Sequence, residues 1–233
     1  MSSQMWTSAT STMEDDLQEM FAHGNEHIGR LRNIGSPRVF IISGPSGVGK
    51  DSVLEHLQKA HPAARYVVTS TSRPMRENEI EGVHYRFLDR DDFQRQIDAG
   101  EYIESEEVYD NLYGVPRSPI VEGLANGQHV IIKVDVKGAA TLRNKIDPTI
   151  SIFLAPESME ELYARLKCRK TEDEAALERR FHTSSEELDR ADEFDYVVFN
   201  KSRKLRDAVA DICHIIECEQ QRINPPAVSV EPA

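Results

Sequence analysis

Cysteine is scarce in this chain of 233 residues: Cys168, Cys213 and Cys218, with no C-x-x-C pair and no metal-ligand spacing. That excludes a disulfide framework and a sequence-evident zinc site, and fits thiols kept reduced. Positive charge is short as well, with 28 Lys and Arg against 40 Asp and Glu, a net charge of −12. A phosphate backbone needs a basic face, so the balance argues against general nucleic-acid binding. It leaves free nucleotides open, because they need only local cations. Long apolar runs are missing too. Nothing approaches the roughly 18–20 residues of a membrane-spanning helix, so no membrane association is expected. The first 36 residues fit neither an acid-poor, arginine-rich transit peptide nor a secretory signal with an apolar centre, and carry Glu14-Asp15-Asp16. The expected location is the cytoplasm, with plastid or mitochondrion as the alternative. Residues 1–36 read as a flexible arm with one short helix near 17–31, and residues 223–233, with Pro225-Pro226 after Asn224, as a flexible tail.

What is present is enough for a core, since 39% of residues are hydrophobic. The most informative segment is Gly44-Pro45-Ser46-Gly47-Val48-Gly49-Lys50, directly after the apolar run Val39-Phe40-Ile41-Ile42. G-x-x-x-x-G-K between a strand and a helix is a phosphate-binding loop. Its glycines let backbone N–H groups converge on phosphate oxygens, the following helix adds its positive end, and Lys50 adds a full charge. The next position normally carries a hydroxyl for Mg²⁺; here it is Asp51, followed by Ser52. A carboxylate is itself a hard oxygen ligand, so Asp51 and Ser52 are the candidate Mg²⁺ ligands.

Short apolar runs at 39–43, 66–69, 130–135, 150–154 and 196–199 alternate with helical spacing at 50–60, 158–169 and 205–220. That order predicts an α/β fold, a parallel sheet covered by helices on both faces. The polar, turn-rich stretch 71–127 carries shorter strand-like pieces at 84–88 and 102–109 and reads as an inserted mixed α+β lobe. The charged stretch 167–189 holds Arg169, Arg179 and Arg180 among many glutamates. Such a run is ordinarily a solvated helix; in a triphosphate-binding protein it is a candidate lid.

Two short matches suggest a GTPase. Asp135-Val136-Lys137-Gly138 fits D-x-x-G, and Asn200-Lys201-Ser202-Arg203 half-fits N-K-x-D. The reading fails at Arg203, where an acid must accept the guanine donors, and at Asp51, where a hydroxyl is needed. The segment Thr69-Ser70-Thr71-Ser72-Arg73-Pro74-Met75-Arg76 points elsewhere. Two arginines after a hydroxyl run make a fork for a phosphate monoester, because planar guanidinium donors meet phosphate oxygens bidentately. Tyr85 offers a phenol to the same phosphate.

Taken in order, the loop, the Thr-Ser-Arg-Pro-x-Arg segment, Glu79-x-x-Gly82-x-x-Tyr85-x-Phe87, Tyr113-Gly114, Asp135-x-x-Gly138, the run from Arg165 to Glu172 and Phe194-Asp195-Tyr196-Val197-Val198-x-Asn200 resemble the guanylate kinase family over residues 39–220. The resemblance implies transfer of the ATP γ-phosphoryl group to GMP or dGMP with Mg²⁺, in purine nucleotide metabolism. It implies a P-loop nucleoside monophosphate kinase fold: a kinase domain at 37–222, with its core at 37–68 and 129–222, a GMP-binding lobe at 69–128 and a helical lid at about 167–189. It places Arg73, Arg76 and Tyr85 on the GMP phosphate and Glu104 on the guanine N1–H and N2–H₂ donors. Thr69, Tyr113 and Asp135 complete that site. Lys50, Arg73, Arg165, Arg169 and Arg180 become the catalytic cations, and Asn200 lies near the adenine of ATP. Glu104 explains base choice: adenine presents an acceptor at N1 and leaves a buried carboxylate unpaired.

Departures from the family pattern are Asp51 for a hydroxyl, Val115 for a Ser or Thr at the base, Lys133 for an acid, Lys137 for a glutamine and Lys170 for a glycine. They resemble a branch that includes plant organellar enzymes and some bacterial ones. A non-catalytic scaffold module of the same fold is the rival from another class, but such modules typically have a degraded loop, and this one is whole. A monomer or a homodimer is expected.

Overall fold

The computed structural model describes residues 5–32, 35–77, 79–108, 110–167, 174–223 and 225–232. In chain order the elements are α1 (Met5–Arg32), β1 (Val39–Ser43), α2 (Lys50–Ala60), β2 (Arg65–Val67), β3 (Ser70–Thr71), β4 (Arg86–Phe87), α3 (Arg90–Asp98), β5 (Tyr102–Val108) and β6 (Asn111–Pro116). There follow α4 (Ser118–Ala125), β7 (Val130–Lys133), α5 (Val136–Lys145), β8 (Ile146–Asp147), β9 (Thr149–Pro156), α6 (Met159–Lys167), α7 (Glu174–Leu188), β10 (Tyr196–Asn200), α8 (Leu205–Gln220) and β11 (Ser229–Val230). Two compact units divide the chain, Met1–Ser36 with Cys218–Pro225, and Pro37–Glu217 with Pro226–Ala233.

The larger unit is built on a five-stranded sheet in the order β10-β9-β1-β7-β2, with every described pair parallel. All five residues of β1 are buried, which is why the strand reads as an unbroken apolar run: helices cover both of its faces. Strand alternation sorts its side chains. Phe40 and Ile42 join Val53 and Leu57 of α2, Leu162 and Leu166 of α6, and Ile212 and Ile216 of α8 in one cluster. Val39 and Ile41 join Ile120 of α4 and Ala139 and Leu142 of α5 in another.

A four-stranded mixed sheet, β4-β3-β6-β5, forms the inserted lobe. Helix α3 is capped by Asp89, which accepts from Asp92 N at 2.8 Å, and sets Phe93 against Tyr102 with ring centroids 4.7 Å apart. The sequence boundary of 69–128 puts α4 in this lobe, but α4 packs on the main sheet: a Cβ on Gly123 would stand 2.9 Å from Val130 Cγ2 and 3.0 Å from Arg65 Cβ.

Two further differences from expectation lie at the ends. Helix α1 runs 28 residues rather than a short stretch within 17–31. Its first half is rich in Ser and Thr, whose weak helix propensity hides it from pattern reading. The tail is not wholly irregular: β11 pairs antiparallel with β8, Ser229 opposite Asp147 and Val230 opposite Ile146. The physical reason is apolar, since Val228 and Val230 pack on the cluster of Val39 and Ile41. The arrangement is held by Glu231 N donating to Lys145 O at 2.8 Å.

Candidate active site

The loop between β1 and α2 takes its shape from glycine. Gly44, Gly47 and Gly49 have φ values of 140°, 85° and 98°, a region that side chains with a Cβ rarely enter. Gly44 is also fixed by space, because a Cβ there would stand 2.2 Å from Leu154 O on β9. Lys50 folds back over the loop. Its Nζ donates to Gly44 O at 2.5 Å and to Pro45 O at 3.2 Å. Burial pushes the ammonium pKa down, against the nearby charges of Glu187, Asp135 and Asp51. A buried cation held by neutral carbonyls is suited to gain an anionic partner.

The underside of the loop is pinned. Val48 O accepts from Asn200 Nδ2 at 2.8 Å and from Arg165 Nη1 at 3.0 Å. Arg165 Nη2 also donates to Glu161 Oε1 at 2.6 Å and to Asn200 O at 2.8 Å. Asn200 is therefore buried beneath the loop, with its amide engaged by the backbone. Helix α7 pins the other side. Arg180 Nη2 donates to Ser46 Oγ at 2.8 Å, Ser184 Oγ donates to Ser46 O at 3.3 Å, and Ser46 N donates to Glu187 Oε2 at 3.0 Å. Residues 180, 184 and 187 fall at i, i+4 and i+7, one face of a helix. Burial raises the Glu187 pKa, with Lys50 and the Ser46 N–H opposing. Sequence reasoning assigned nothing to Glu187; the signal available was that helical spacing from Arg180.

Across from the loop, Arg73 is gripped rather than free. Its Nη1 donates to Glu79 Oε2 at 2.6 Å and its Nη2 to Glu79 Oε1 at 2.5 Å. Glu79 Oε2 also accepts from Arg76 N at 2.8 Å. Burial opposes the Glu79 charge, but the Arg73 and Arg76 hydrogen bonds together outweigh it and hold the carboxyl below its usual range. Glu79 was a motif position without a role; it is the residue that orients Arg73. The guanidinium lies 5.1 Å from the Tyr85 ring centroid and 5.5 Å from that of Phe87. Tyr113 meets Tyr85 edge to face at 6.2 Å. The Arg76 side chain is exposed and does not join this aromatic cluster.

Glu104, on β5, is 7% exposed. Burial pushes its pKa up to about 8, with the charges of Asp135 and Glu106 adding and Lys145 opposing. Asp135 caps α5, its Oδ1 accepting from Gly138 N at 2.7 Å. The two carboxylates converge over Gly138, where a Cβ would stand 3.3 Å from Asp135 Oδ1 and 3.4 Å from Glu104 Oε1. Any larger residue at 138 crowds both. Thr69 is buried at the start of the lobe, and its carbonyl accepts from Arg86 N at 2.9 Å. Val115 is fully buried in the cluster of Val39 and Ile41, so it fills core space rather than marking an empty polar position.

Lys133 and Asp51 join the two halves. Lys133 Nζ stands 2.6 Å from Asp51 Oδ1 and 4.3 Å from the Tyr85 ring centroid. Burial works against the Lys133 charge, and the interactions with Tyr85 and Asp51 outweigh it, so its pKa is raised. Ser52 is exposed on the first turn of α2. Lys137 reaches Glu106 at 3.4 Å on the surface, a contact of little energetic weight. Arg169 and Lys170 lie outside the described residues.

Three comparisons bear on this arrangement. A family model described as guanylate kinase matches residues 36–219. The chain is 40% identical over 195 residues to guanylate kinase 2, chloroplastic/mitochondrial, of Oryza sativa subsp. japonica, an alignment covering 83% of this chain and 68% of that protein. It is 36% identical over 187 residues to guanylate kinase of Carboxydothermus hydrogenoformans, covering 79% of this chain and 91% of that one. Among solved structures, guanylate kinase from Anaplasma phagocytophilum superposes with a TM-score of 0.67 at 29% identity, over 81% of this chain and 88% of that one.

Proposed function

The chain belongs to the guanylate kinase family and is an ATP:GMP phosphotransferase; we propose that it works by gripping two nucleotides end to end, the triphosphate on the loop of Lys50 and GMP in the lobe of Arg73 and Glu104. One observation carries this assignment. Contacts run without a break from Arg73 through Tyr85 and Lys133 to Asp51, beside Lys50. Phosphoryl transfer asks the protein chiefly for alignment and positive charge, and a continuous bridge between two anion sites supplies both.

In this reading the backbone N–H groups of residues 46–50 and the Lys50 ammonium hold the β- and γ-phosphates of ATP. Arg165 and Asn200 keep the loop in shape from below, and Arg180 brings charge from α7, joined by Arg169. Arg73 turns part of its guanidinium from Glu79 to the GMP phosphate, with Arg76 and the Tyr85 hydroxyl beside it. Glu104 accepts the guanine N1–H and N2–H₂ donors, while Asp135, Thr69 and Tyr113 bound the nucleoside. Closure of the lobe and α7 excludes the water that otherwise takes the phosphoryl group. One P–O bond breaks at the γ-phosphorus, its electron pair staying on ADP, and one forms to a GMP phosphate oxygen.

The donor set fits Mg²⁺ arriving with ATP. Among the described residues no three acidic, His or Cys side chains converge, and Mg²⁺ commonly takes one or two carboxylates plus the nucleotide phosphates. Asp51, with Ser52 adjacent, would hold it, and it would supply charge neutralisation on the β- and γ-oxygens.

For acceptors we assign GMP and dGMP, in purine nucleotide metabolism. For location we assign the cytoplasm, with plastid or mitochondrion as the alternative that the name of the rice relative supports. Among the described residues no helix is long and apolar enough to cross a membrane. The chain acts on small nucleotides rather than nucleic acid, as a monomer or homodimer. A coupled ADP and GDP assay with Mg²⁺-ATP and a panel of monophosphates tests the reading: GMP and dGMP turn over, AMP poorly. No ATP-dependent GDP would leave the scaffold reading standing, and GTP hydrolysis without an acceptor would leave the GTPase.

A further inference from the structure

Lys133 lies where the two proposed phosphate sites meet, against Asp51 on one side and Tyr85 on the other. It ends β7, the strand beside β1, so its Cα pairs with Ile42 just before the phosphate loop. The side chain is 9% exposed, against 52% for its partner Asp51. A lysine is rarely buried this far without a partner of opposite charge. The partner found here is a residue on the rim of the nucleotide loop, and the other neighbour is a ring of the GMP clamp. Lys133 thus links the rim of the nucleotide loop to the ring of Tyr85, and a phosphate passing between the two sites meets its ammonium.

We propose that Lys133 is a further catalytic residue, an ammonium that touches the phosphoryl group in flight between ATP and GMP. Asp51 and the face of Tyr85 hold it in place until the substrates arrive. The proposal rests on the kinase reading above and adds to it a contact that neither the loop nor the arginine clamp provides. Lys133 donates hydrogen bonds to a non-bridging oxygen; no bond to it forms or breaks, and no proton is consumed. Its reach is set by the strand end, so it serves only when both nucleotides are seated.

A test separates contact from mere pairing with Asp51. The probe is a bisubstrate analogue, adenosine and guanosine joined by five phosphates, titrated calorimetrically without divalent metal. Lys133→Met is expected to weaken it about 10²-fold, the loss of a charge-assisted hydrogen bond to phosphate. ADP and GMP titrated singly are expected to bind as in the wild type, which also reports an intact fold. Turnover is then compared in the Asp51→Asn background. If Lys133 touches phosphate, adding Lys133→Met lowers kcat by about another 10²-fold. If Lys133 only balances Asp51, the second substitution changes nothing, and the proposal is overturned. Unchanged bisubstrate affinity in Lys133→Met overturns it as well. A wild-type chain that binds the analogue but forms no GDP overturns the kinase reading and this proposal together, an outcome visible before any variant is made.

Discussion

Seven consecutive residues, Gly44 to Lys50, make the proposed phosphate cradle on one side of the site, whereas the proposed GMP clamp opposite draws Arg73, Tyr85, Glu104, Tyr113 and Asp135 from separate segments of the chain. The cradle is already pinned: Val48 O takes two donors and Ser46 makes three contacts to α7. The clamp is not yet arranged for its ligand. Arg73 faces Glu79, and Glu104 sits beside another carboxylate with its pKa pushed up to about 8. One side is preorganised by backbone and costs little to use; the other holds its charges in reserve against each other. On the proposed assignment, substrate binding at the clamp exchanges partners, and discrimination enters at that exchange.

The largest way to break this comparison is on the cradle. Lys50→Ala is expected to lower kcat about 10³-fold or more and to weaken ADP, while GMP alone binds unchanged. Turnover near the wild-type rate would show that the loop is not the anchor. On the clamp, Glu104→Gln is expected to reduce the GMP-over-AMP ratio of kcat/KM about 10²-fold, because the amide offers one acceptor where two donors arrive. ADP binding should not change. An unaltered ratio removes Glu104 from the base site. Arg73→Lys should raise the KM for GMP about 30-fold through loss of the bidentate fork, with the KM for ATP held. Equal effects on both substrates would dissolve the distinction between the two sides.

The same contrast decides what could be read from the sequence. The loop was legible because its residues are contiguous and its glycines are demanded by local backbone geometry. The sheet was legible because β1, β7 and β9 are buried on both faces and therefore read as short, mostly apolar runs, with Ser151 inside β9 and Lys133 at the end of β7 as polar interruptions. Glu79 and Glu187 were not given roles, since each acts on a partner whose approach only the tertiary fold sets: Arg73 across a turn, and Ser46 far away in the chain. Asn200 was placed near adenine by resemblance, and its burial under Val48 became visible only in three dimensions. Helix α4 followed the lobe in sequence and the main sheet in space, because Gly123 permits close approach to Val130. The tail carried its signal in Val228-Ser229-Val230, an apolar-polar-apolar alternation short enough to be taken for coil beside two prolines.

The gentlest probe of the clamp is pH. In the proposed site guanine brings two donors and needs Glu104 ionised, yet burial and the charges of Asp135 and Glu106 push that carboxyl up to about 8. Below that pH the empty site holds a proton that binding must release. The KM for GMP should fall about tenfold per pH unit as pH rises towards 8, then level off, while the KM for ATP keeps its own course. Stability runs the other way. The folded state holds this proton more tightly than the unfolded chain, so the contribution is full below the ordinary carboxyl pKa and is lost as pH rises through about 8. The empty protein thus loses a little stability over the range in which it gains affinity for GMP, and GMP should raise the melting temperature more at pH 8 than at pH 6. In Glu104→Gln the slope of KM against pH should vanish. A slope that persists in that variant assigns the proton to another group, with Asp135 the next carboxylate in reach.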